Sequence, residues 1–286
     1  IERIEELTQT LLLPELENSV VVTQGFVGSD EQNNTTTLGR GGSDYSAALL
    51  AEALAAENLH IWTDVTGIFT TDPRLASKAR AIPEISFDEA AEMATFGAKI
   101  LHPATLIPAI RSGTRVFVGS SRAPEQGGTW IVKETDNRPA YRAIALRRDQ
   151  VLVTLKSPNM LHATGFLAKV FTILAKHKVS VDLITTSEIS VALTIDEPSN
   201  SSSQVLNEEL LNELAEVCEV RVEHGLALVA VIGNQLHSTN GVCGDVLSNL
   251  NEHNLRMICH GASQHNLCFL ANEKDSESIV EKLHQV

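Results

Sequence analysis

Lysine and arginine are scarce in this chain of 286 residues, where they number 22 against 36 aspartates and glutamates and leave a formal net charge of −14. This charge has the wrong sign for a protein that binds nucleic-acid phosphates or anionic lipid. Long apolar runs are missing too, because stretches such as residues 226–232 fall far short of the roughly 20 residues that cross a bilayer. We therefore expect no nucleic acid and no membrane as partners, and a soluble, cytoplasmic protein.

Cysteine is also sparse, and the chain begins without methionine. The four cysteines include no pair with C-x-x-C spacing, so no zinc site is expected. Cys259 and Cys268 could form a hairpin pair, but reduced thiols are the better expectation in a chain large enough to fold without disulfides. Residues 1–13 show helical spacing with no capping residue ahead of them, which indicates that the chain begins inside a longer element.

Up to residue 138 the sequence alternates short apolar runs with helical patterns. The predicted strands are residues 19–23 (SVVVT), 59–63 (LHIWT) and 115–119 (RVFVG). The predicted helices are residues 1–13, 44–56, 87–97 and 103–112. Strand, helix and strand in succession form a βαβ unit, so the pattern predicts an α/β domain with a parallel sheet covered by helices. Gly, Pro and polar residues at 121–138 predict a boundary that ends this domain at residue 138.

The predicted second domain, residues 139–286, contains an internal repeat. Residues 165–193 align with residues 241–269 without a gap. The identical positions are Gly165 and Gly241, Val170 and Val246, Leu174 and Leu250, His177 and His253, and Ser187 and Ser263. Each copy has a strand, a helix, two strands and a second helix, an order typical of a ferredoxin-like βαββαβ unit.

The two copies differ in how their sheets are completed. The first unit spans about 151–223, with residues 219–223 as its closing strand. The second spans about 224–286 and lacks a last strand of its own, so residues 143–147 (AIALR) are expected to supply it. Residues 197–204 (EPSNSSSQ) have the composition of a flexible loop.

Residues 35–44 (TTTLGRGGSD) form the first candidate site, between a strand and a helix. Glycines let backbone amides approach an anion closely, and the following helix offers its positive N-terminal end. The G-x-G-G core matches neither the Walker pattern nor the dinucleotide fingerprint, so a tight turn capped by Ser43 or Asp44 is the alternative. Arg40 favours a phosphate or carboxylate site, because a mere turn does not require a clamp of this kind.

Residues 62–74 (WTDVTGIFTTDPR) form the second candidate, because ligands of open α/β sheets bind beyond the carboxyl ends of the strands. Asp64 could accept a hydrogen bond from ribose or adenine, and Arg74 could neutralise phosphate. The alternative is a solvated loop with an Asx-turn at Asp72. Lys99 is a third candidate phosphate contact, although a lysine alone is more often solvated.

Four segments together resemble the aspartate kinase family, in particular its lysine-sensitive members. They are TTTLGRGGSDYSAALLAEAL, IWTDVTGIFTTDPR, AAEMATFGAKILHPAT and SVDLITTSEISVAL, and the resemblance runs over almost the whole chain. It implies the C-terminal part of an amino-acid kinase (carbamate kinase-like) αβα domain, followed by tandem ferredoxin-like ACT domains, which are small amino-acid sensors.

The resemblance also implies roles for the first candidate site. Arg40 would clamp the substrate L-aspartate, and Gly41 with Gly42 would cradle it through backbone groups. Ser43 and Asp44 would lie beside the reacting groups, with Asp44 orienting a phosphate-handling lysine. The implied chemistry is transfer of the γ-phosphoryl group of Mg-ATP to the β-carboxylate of L-aspartate, with Mg²⁺ arriving with the nucleotide.

Nucleotide contacts follow from the same resemblance. Thr63 and Asp64 would hold the nucleotide, and Arg74 and Lys99 would meet its phosphates. Phe69 stands where the family usually has tyrosine, a change of little consequence if the ring only packs. No metal site of the protein's own is expected.

One family motif is missing. Members open their kinase domain with Lys-Phe-Gly-Gly-Thr, whose lysine stabilises the transferring phosphoryl group, and this motif does not occur in the 286 residues. We therefore expect the polypeptide alone to be inactive. The competing hypothesis is a non-catalytic regulatory subunit that senses an amino acid, and a bifunctional enzyme joined to homoserine dehydrogenase is a weaker alternative.

The regulatory site is predicted in the first copy of the repeat. Amides at the start of its helix, near Gly165, can hold a ligand carboxylate, Asp182 can accept an α-ammonium, and Glu188 can accept a second ammonium. Two acids and one group of amides suit lysine as an allosteric inhibitor, whereas the second copy has Ile258 and Gln264 at the equivalent positions. The implied site comprises Met160, His162, Gly165, Phe166, Leu167, Ser180, Val181, Asp182, Ser187 and Glu188.

Two alternatives accompany this site. Asp182 and Glu188 could be solvated charges at a strand edge, and His162 could be an ordinary surface histidine. The resemblance implies a homodimer through the ACT domains, with a tetramer as a larger assembly. Lysine would then inhibit by favouring the arrangement in which the catalytic loops are misplaced.

Overall fold

The computed structural model describes residues 1–39, 41–97, 101, 103–160, 164–196 and 205–285. It divides into two compact units, the first made of Ile1–Ala145 with Ile232–Asn234 and the second of Leu146–Val231 with Gln235–Val286. None of the helices in the described part is both long and apolar enough to cross a membrane.

The first unit contains five α-helices and six strands among its described residues, followed by the start of a longer strand. Its helices are α1 (Glu2–Leu7), α2 (Leu13–Leu16), α3 (Gly42–Ala53), α4 (Phe87–Thr95) and α5 (Pro103–Ser112), with a π-helical turn at Thr8–Leu12. Its strands are β1 (Val27–Ser29), β2 (Thr35–Thr37), β3 (Asn58–Thr63), β4 (Glu84–Ser86), β5 (Arg115–Ser120) and β6 (Gly128–Val132). The helices predicted from the sequence are confirmed within a few residues at each end.

A four-stranded sheet in the order β3-β5-β6-β4 forms the centre of this unit. Strands β3 and β5 are parallel, as are β4 and β6, whereas β5 and β6 are antiparallel. Alternate residues of β3 and β5 are buried, among them Leu59, Ile61, Val116 and Val118. The predicted α/β class is thus confirmed, and residues 121–138 contain β6, a strand of this same sheet.

The predicted strand at residues 19–23 is wrong. These residues are not in a strand, and Val20 and Val22 are 89% and 91% exposed. A β-branched run becomes a strand only beside a neighbour that takes its hydrogen bonds. Within the described residues β1 and β2 pair with each other instead. The parallel neighbours are β3 and β5, not residues 19–23 and β3.

One six-stranded sheet holds both copies of the repeat in the order β11-β12-β10-β7-β9-β8. Its strands are β7 (Tyr141–Lys156), β8 (Ile184–Thr186), β9 (Ser190–Asp196), β10 (Glu219–Gly233), β11 (Leu255–His260) and β12 (Asn266–Asn272). The helices are α6 (Phe166–Lys176), α7 (Glu208–Ala215), α8 (Val242–Ser248) and α9 (Ser276–Leu283). The predicted order of helix, two strands and helix is confirmed in both copies.

Two long strands explain why the two copies share one sheet instead of forming a separate sheet each. Strand β7 contains residues 143–147, predicted to close the second copy, and residues 151–155, predicted to open the first. Strand β10 likewise contains residues 219–223 and 227–232, and it is the neighbour of β7. Each long strand therefore serves both copies. The predicted flexible loop at residues 197–204 lies outside the described residues.

Candidate functional site

The glycine turn before α3 forms the first part of the site. Gly39 and Gly41 have φ angles of 74° and 73°, in the left-handed region that favours glycine. A Cβ atom on Gly42 would come within 2.9 Å of Leu38 Cβ and 3.0 Å of Phe26 Cδ2. The close approach of the chain requires glycine here, and it leaves the first amides of α3 without partners inside the helix. Arg40 lies outside the described residues.

The hairpin of β1 and β2 is attached to the start of α3. The amide of Phe26 donates to Ser46 Oγ at 3.1 Å, and that hydroxyl donates to the Gly42 carbonyl at 2.8 Å. Ser43 is exposed and Asp44 is half-buried in the first turn of the helix. These contacts join the segment before β1 to the first turn of α3.

Helix and strand lengths bring the two predicted loops to one end of the unit. Helix α3 has 12 residues and rises about 18 Å, and β3 has 6 residues and extends about 20 Å. A short turn reverses the chain between them, so the start of α3 and the end of β3 lie at the same end. A bidentate pair between Arg111 and Glu52, at 2.8 and 2.6 Å, ties α5 to the other end of α3.

The carboxyl end of β3 presents Thr63 and Asp64. Thr63 Oγ1 donates to Asp64 Oδ1 at 3.2 Å, and Asp64 is exposed. The Thr63 carbonyl accepts hydrogen bonds from the amide and hydroxyl of Ser121 at 2.8 and 3.0 Å. The ends of the parallel strands β3 and β5 are therefore joined, and the carboxylate of Asp64 stays accessible to a ligand.

The loop after β3 is anchored to β6. Ile68 donates its amide to Thr129 Oγ1 at 2.8 Å, and a Cβ atom on Gly67 would come within 2.7 Å of that oxygen. Phe69 is half-buried and forms an isolated bridge with Ala81. The backbone at Phe69 is thus held within the loop.

Arg74 belongs to the turn that was the alternative interpretation of this loop. Its amide donates to Asp72 Oδ1 at 2.9 Å, the bond of an Asx-turn. Its guanidinium holds the same carboxylate through Nε at 3.0 Å and Nη2 at 2.6 Å, and Asp72 raises the pKa of Arg74. The side chain is 88% exposed, so a phosphate could share this guanidinium with Asp72. Lys99 lies outside the described residues.

A buried ion pair in the first unit was not predicted. Glu89 on α4 is fully buried and accepts hydrogen bonds from Arg142 Nε and Asn234 Nδ2, both at 2.8 Å. It also accepts hydrogen bonds from the hydroxyl of Ser86 at 2.9 Å and from the amide of Ser86 at 3.2 Å. Burial alone would raise the pKa of Glu89, but these donors together lower it. The only signal in the sequence was Ser86 three residues before Glu89, the pattern of a helix capping box.

Gly165 begins the predicted sensor site. Its φ angle of 87° is left-handed, and it is the N-cap of α6, an 11-residue helix with free amides in its first turn. Met160, Phe166 and Val181 are partly buried and pack against the same hydrophobic cluster of the first copy. Leu167 is 39% exposed and Ser180 is exposed. The structure thus brings several predicted residues together, while His162 lies outside the described residues.

Asp182 and Glu188 lie on either side of β8. The amide of Asp182 donates to the Thr194 carbonyl at 3.0 Å. Its side chain is 24% exposed, and its Oδ2 atom is 3.4 Å from Arg147 Nη2. Burial raises the pKa of Asp182, and Arg147 opposes that rise. Ser187 bonds Ser190 between hydroxyls at 2.7 Å and closes the turn that exposes Glu188. An acid therefore stands at each end of β8.

The second copy has a different surface at the equivalent place. Helix α8 has only 7 residues, and Ile258 on β11 is 43% exposed. The carbonyl of Gln264 accepts the amide of Leu236 at 2.8 Å. Cys259 and Cys268 are direct neighbours across β11 and β12, as the hairpin alternative required, and neither is in a disulfide.

Carboxylates and histidines are dispersed in the described part of the chain. No group of three or more His, Cys, Asp or Glu side chains there could hold a metal ion.

Known families match both parts of the chain. The model of the Amino acid kinase family matches residues 2–120, and that of the ACT domain matches residues 153–206 and 229–286. "Lysine-sensitive aspartokinase 3" of Escherichia coli is 59% identical over 99% of this chain, which covers 64% of that protein. "Aspartokinase 1, chloroplastic" of Arabidopsis thaliana is 36% identical over 93% of this chain, which covers 48% of that protein.

Solved structures agree in fold. E. coli aspartokinase III in complex with aspartate and ADP (R-state) matches with a TM-score of 0.89 at 59% identity, over 98% of this chain and 63% of the other. The same enzyme in complex with lysine and aspartate (T-state) matches with a TM-score of 0.84 at 60% identity, with the same coverage. The chain thus spans less than two thirds of the length of these relatives. In sequence and in fold the chain is similar to aspartokinases, with a match to the Amino acid kinase family followed by matches to the ACT domain.

Proposed function

We propose that this chain is part of an aspartate kinase, which transfers the γ-phosphoryl group of ATP to the β-carboxylate of L-aspartate and is inhibited by L-lysine. The observation that carries the proposal is the juxtaposition at one end of the first unit. The glycine turn before α3 and the exposed Asp64 after β3 lie there, in a fold that matches an enzyme solved with aspartate and ADP.

The start of α3 is proposed to bind the anionic groups of the reaction. The positive end of the helix dipole, at Gly41 and Gly42, stabilises negative charge on a carboxylate or phosphoryl oxygen. Arg40 is proposed as the clamp on aspartate, with Ser43 and Asp44 beside the reacting groups. Positive charge and backbone donors of this kind stabilise the oxygens of the group in transfer.

The end of β3 is proposed to bind the nucleotide. Asp64 is proposed to accept hydrogen bonds from ribose or adenine beside Thr63, while Arg74 and Lys99 meet the phosphates. Mg²⁺ is proposed to arrive with ATP and to neutralise the phosphate oxygens during transfer.

The second unit is proposed to sense lysine through its first copy. Amides of α6 after Gly165 would hold the ligand carboxylate, Asp182 its α-ammonium and Glu188 its distal ammonium. Support comes from the acids at both ends of β8 and from the relative that was solved with lysine. Met160, Phe166 and Val181 would supply the apolar wall along the ligand's methylene groups.

Assembly and location are part of the same proposal. A homodimer through the ACT segments is proposed, with a tetramer as a larger state, in the cytoplasm. Strand β8 carries Ile184, which is 40% exposed, and this side chain is proposed to contact a second copy. The alternative function, a regulatory subunit without catalysis, follows from the absence of Lys-Phe-Gly-Gly-Thr in these 286 residues.

The first test is calorimetric titration of the 286-residue polypeptide with L-lysine, with L-threonine as comparator. We expect saturable lysine binding that Glu188→Ala weakens and that Gln264→Ala, the matched change in the second copy, leaves unchanged. Absence of binding by a folded sample would contradict the proposed sensor.

The catalytic alternative needs a separate test. The 286-residue polypeptide is expected to form no aspartyl phosphate, because it lacks the lysine motif. A native open reading frame with that motif upstream would support the enzyme, and one without it would support the regulatory subunit.

A further inference from the structure

Arg147 lies between two carboxylates in the second unit. Its Nη2 atom is 3.4 Å from Asp182 Oδ2 and also contacts a carboxylate oxygen of Asp196, the last residue of β9. The three side chains are 23%, 24% and 36% exposed, so the group is partly shielded from water. Among the side chains that the structure describes, Arg147 is the cation paired with both carboxylates, which leaves one negative charge in excess.

The two carboxylates hold Arg147 unequally. Asp196 is fixed in place by Gln150, its direct partner across β7 and β9, whose Nε2 donates to it. Gln150 is fully buried, so this support is rigid. The distances from Arg147 to the two oxygens of Asp182, 3.4 and 3.5 Å, exceed the roughly 2.7–2.9 Å of a strong charge-assisted bond. Arg147 is thus held firmly by Asp196 and loosely by Asp182.

Asp182 is also the carboxylate that a ligand ammonium needs. A guanidinium and an ammonium both bind carboxylate oxygens, so Arg147 and a ligand ammonium compete for the charge of Asp182. We propose that Arg147 is an internal competitor of the sensor: in the ligand-free chain its guanidinium occupies the cation position at Asp182, and an amino-acid ligand displaces it toward Asp196. This inference rests on the proposed lysine site.

Competition with Arg147 limits which amino acids can bind at Asp182. A ligand must supply an ammonium that binds Asp182 better than Arg147 does, and Asp196 gives the displaced guanidinium a place to remain paired. Once the ammonium is bound, two cations balance two carboxylates. Amino acids without a free α-ammonium therefore leave Arg147 in place.

Two variants of opposite effect test the competition in calorimetric titrations of the 286-residue polypeptide with L-lysine. Arg147→Gln removes the competitor, and lysine is expected to bind roughly two- to fivefold more tightly, as for the loss of a partly exposed ion pair. Asp196→Asn removes the alternative partner, leaves Arg147 on Asp182 and weakens lysine binding by a similar factor. In the Arg147→Gln background, Asp196→Asn should no longer weaken it.

Arg148→Gln is the matched control. Arg148 is the next residue on β7, 38% exposed, and its Nη2 contacts Glu277 at 2.7 Å, away from Asp182. Its loss is expected to leave lysine binding unchanged. Circular dichroism of each variant shows whether the fold is kept.

The outcomes separate this inference from the proposed function. If the folded unmodified chain binds no lysine, the sensor itself fails, and the competition fails with it. If that chain binds lysine but Arg147→Gln binds equally or more weakly, the competitor is overturned while the sensor stands. A merely structural role of Arg147 would weaken binding in both single variants, whereas competition gives changes of opposite sign.

Discussion

The two copies of the repeat share a scaffold and differ in surface chemistry. Val170 and Leu174 in the first copy and Val246 and Leu250 in the second are all buried, and they lie at identical positions of the repeat. At the proposed lysine site the correspondence ends, because Asp182 of the first copy, whose side chain is 24% exposed, is replaced by Ile258 on an exposed strand face.

This difference separates what a fold needs from what a sensor needs. Packing positions repeat because both copies must bury the same helix face against the same sheet. Charged positions do not repeat, because a carboxylate half-removed from water is costly unless a ligand or a partner compensates it. The second copy, which lacks the acids, is interpreted as the structural partner of the first.

The shared core predicts the largest effect. Leu174→Ala and Leu250→Ala each remove a leucine that is 2% exposed, and each is expected to lower the free energy of unfolding by about 2–5 kcal/mol. Because both copies contribute strands to one sheet, both variants should shift the same transition in urea denaturation followed by circular dichroism. Separate transitions for the two variants would show that the copies fold independently, contrary to the single sheet.

The next largest effect is expected at the proposed lysine site. Asp182→Asn keeps the shape of the side chain and removes its charge, so lysine binding should weaken by roughly tenfold or more, the cost of losing a hydrogen bond to a charged group. Ile258→Asn introduces the same side chain at the equivalent position of the second copy and should leave lysine binding unchanged. Calorimetric titration of both variants measures the difference, and equal losses would mean that the two copies bind lysine alike.

Local patterns predicted much of this fold. The repeat was visible because the buried Val170 and Leu174 recur as Val246 and Leu250, and because Gly165 and Gly241 both begin a helix in the left-handed conformation. Helix α5 was predicted with the observed bounds, Pro103–Ser112. Features set by neighbouring residues in the chain are those that a sequence pattern encodes most directly.

Features that depend on distant pairing were missed. The strand predicted at residues 19–23 has the right composition, but a strand also needs a neighbour, which the pattern cannot show. Glu89 and Arg142 are 53 residues apart, and neither position has a local signal for their ion pair. The sharing of β7 and β10 by both copies likewise depends on long-range register. Within the candidate site, the glycine turn and the end of β3 were predictable, whereas the contact of Arg147 with Asp182 was not.

The smallest effect is expected for the ion pair between the two helices of each copy. The positions of lysine and glutamate in this pair are exchanged between the copies. In the first copy Lys176 near the end of α6 pairs with Glu213 on α7 at 2.8 Å, whereas in the second Glu252 after α8 pairs with Lys282 on α9. Hydrogen bonds from Lys176 and Lys282 lower the pKa of Glu213 and Glu252 below the ordinary 4.5.

A lowered pKa means that the folded chain binds fewer protons than the unfolded chain, so the stabilisation is complete above pH 4.5 and is lost as the pH falls through the folded values. Glu213→Gln and Glu252→Gln should each make urea stability slightly less dependent on pH between about pH 3 and about pH 7. Both effects should be small, because exposed pairs contribute little. Equal changes would show that the polarity of the pair is irrelevant to the scaffold, and a change in only one variant would show that the helix layers of the two copies are not equivalent.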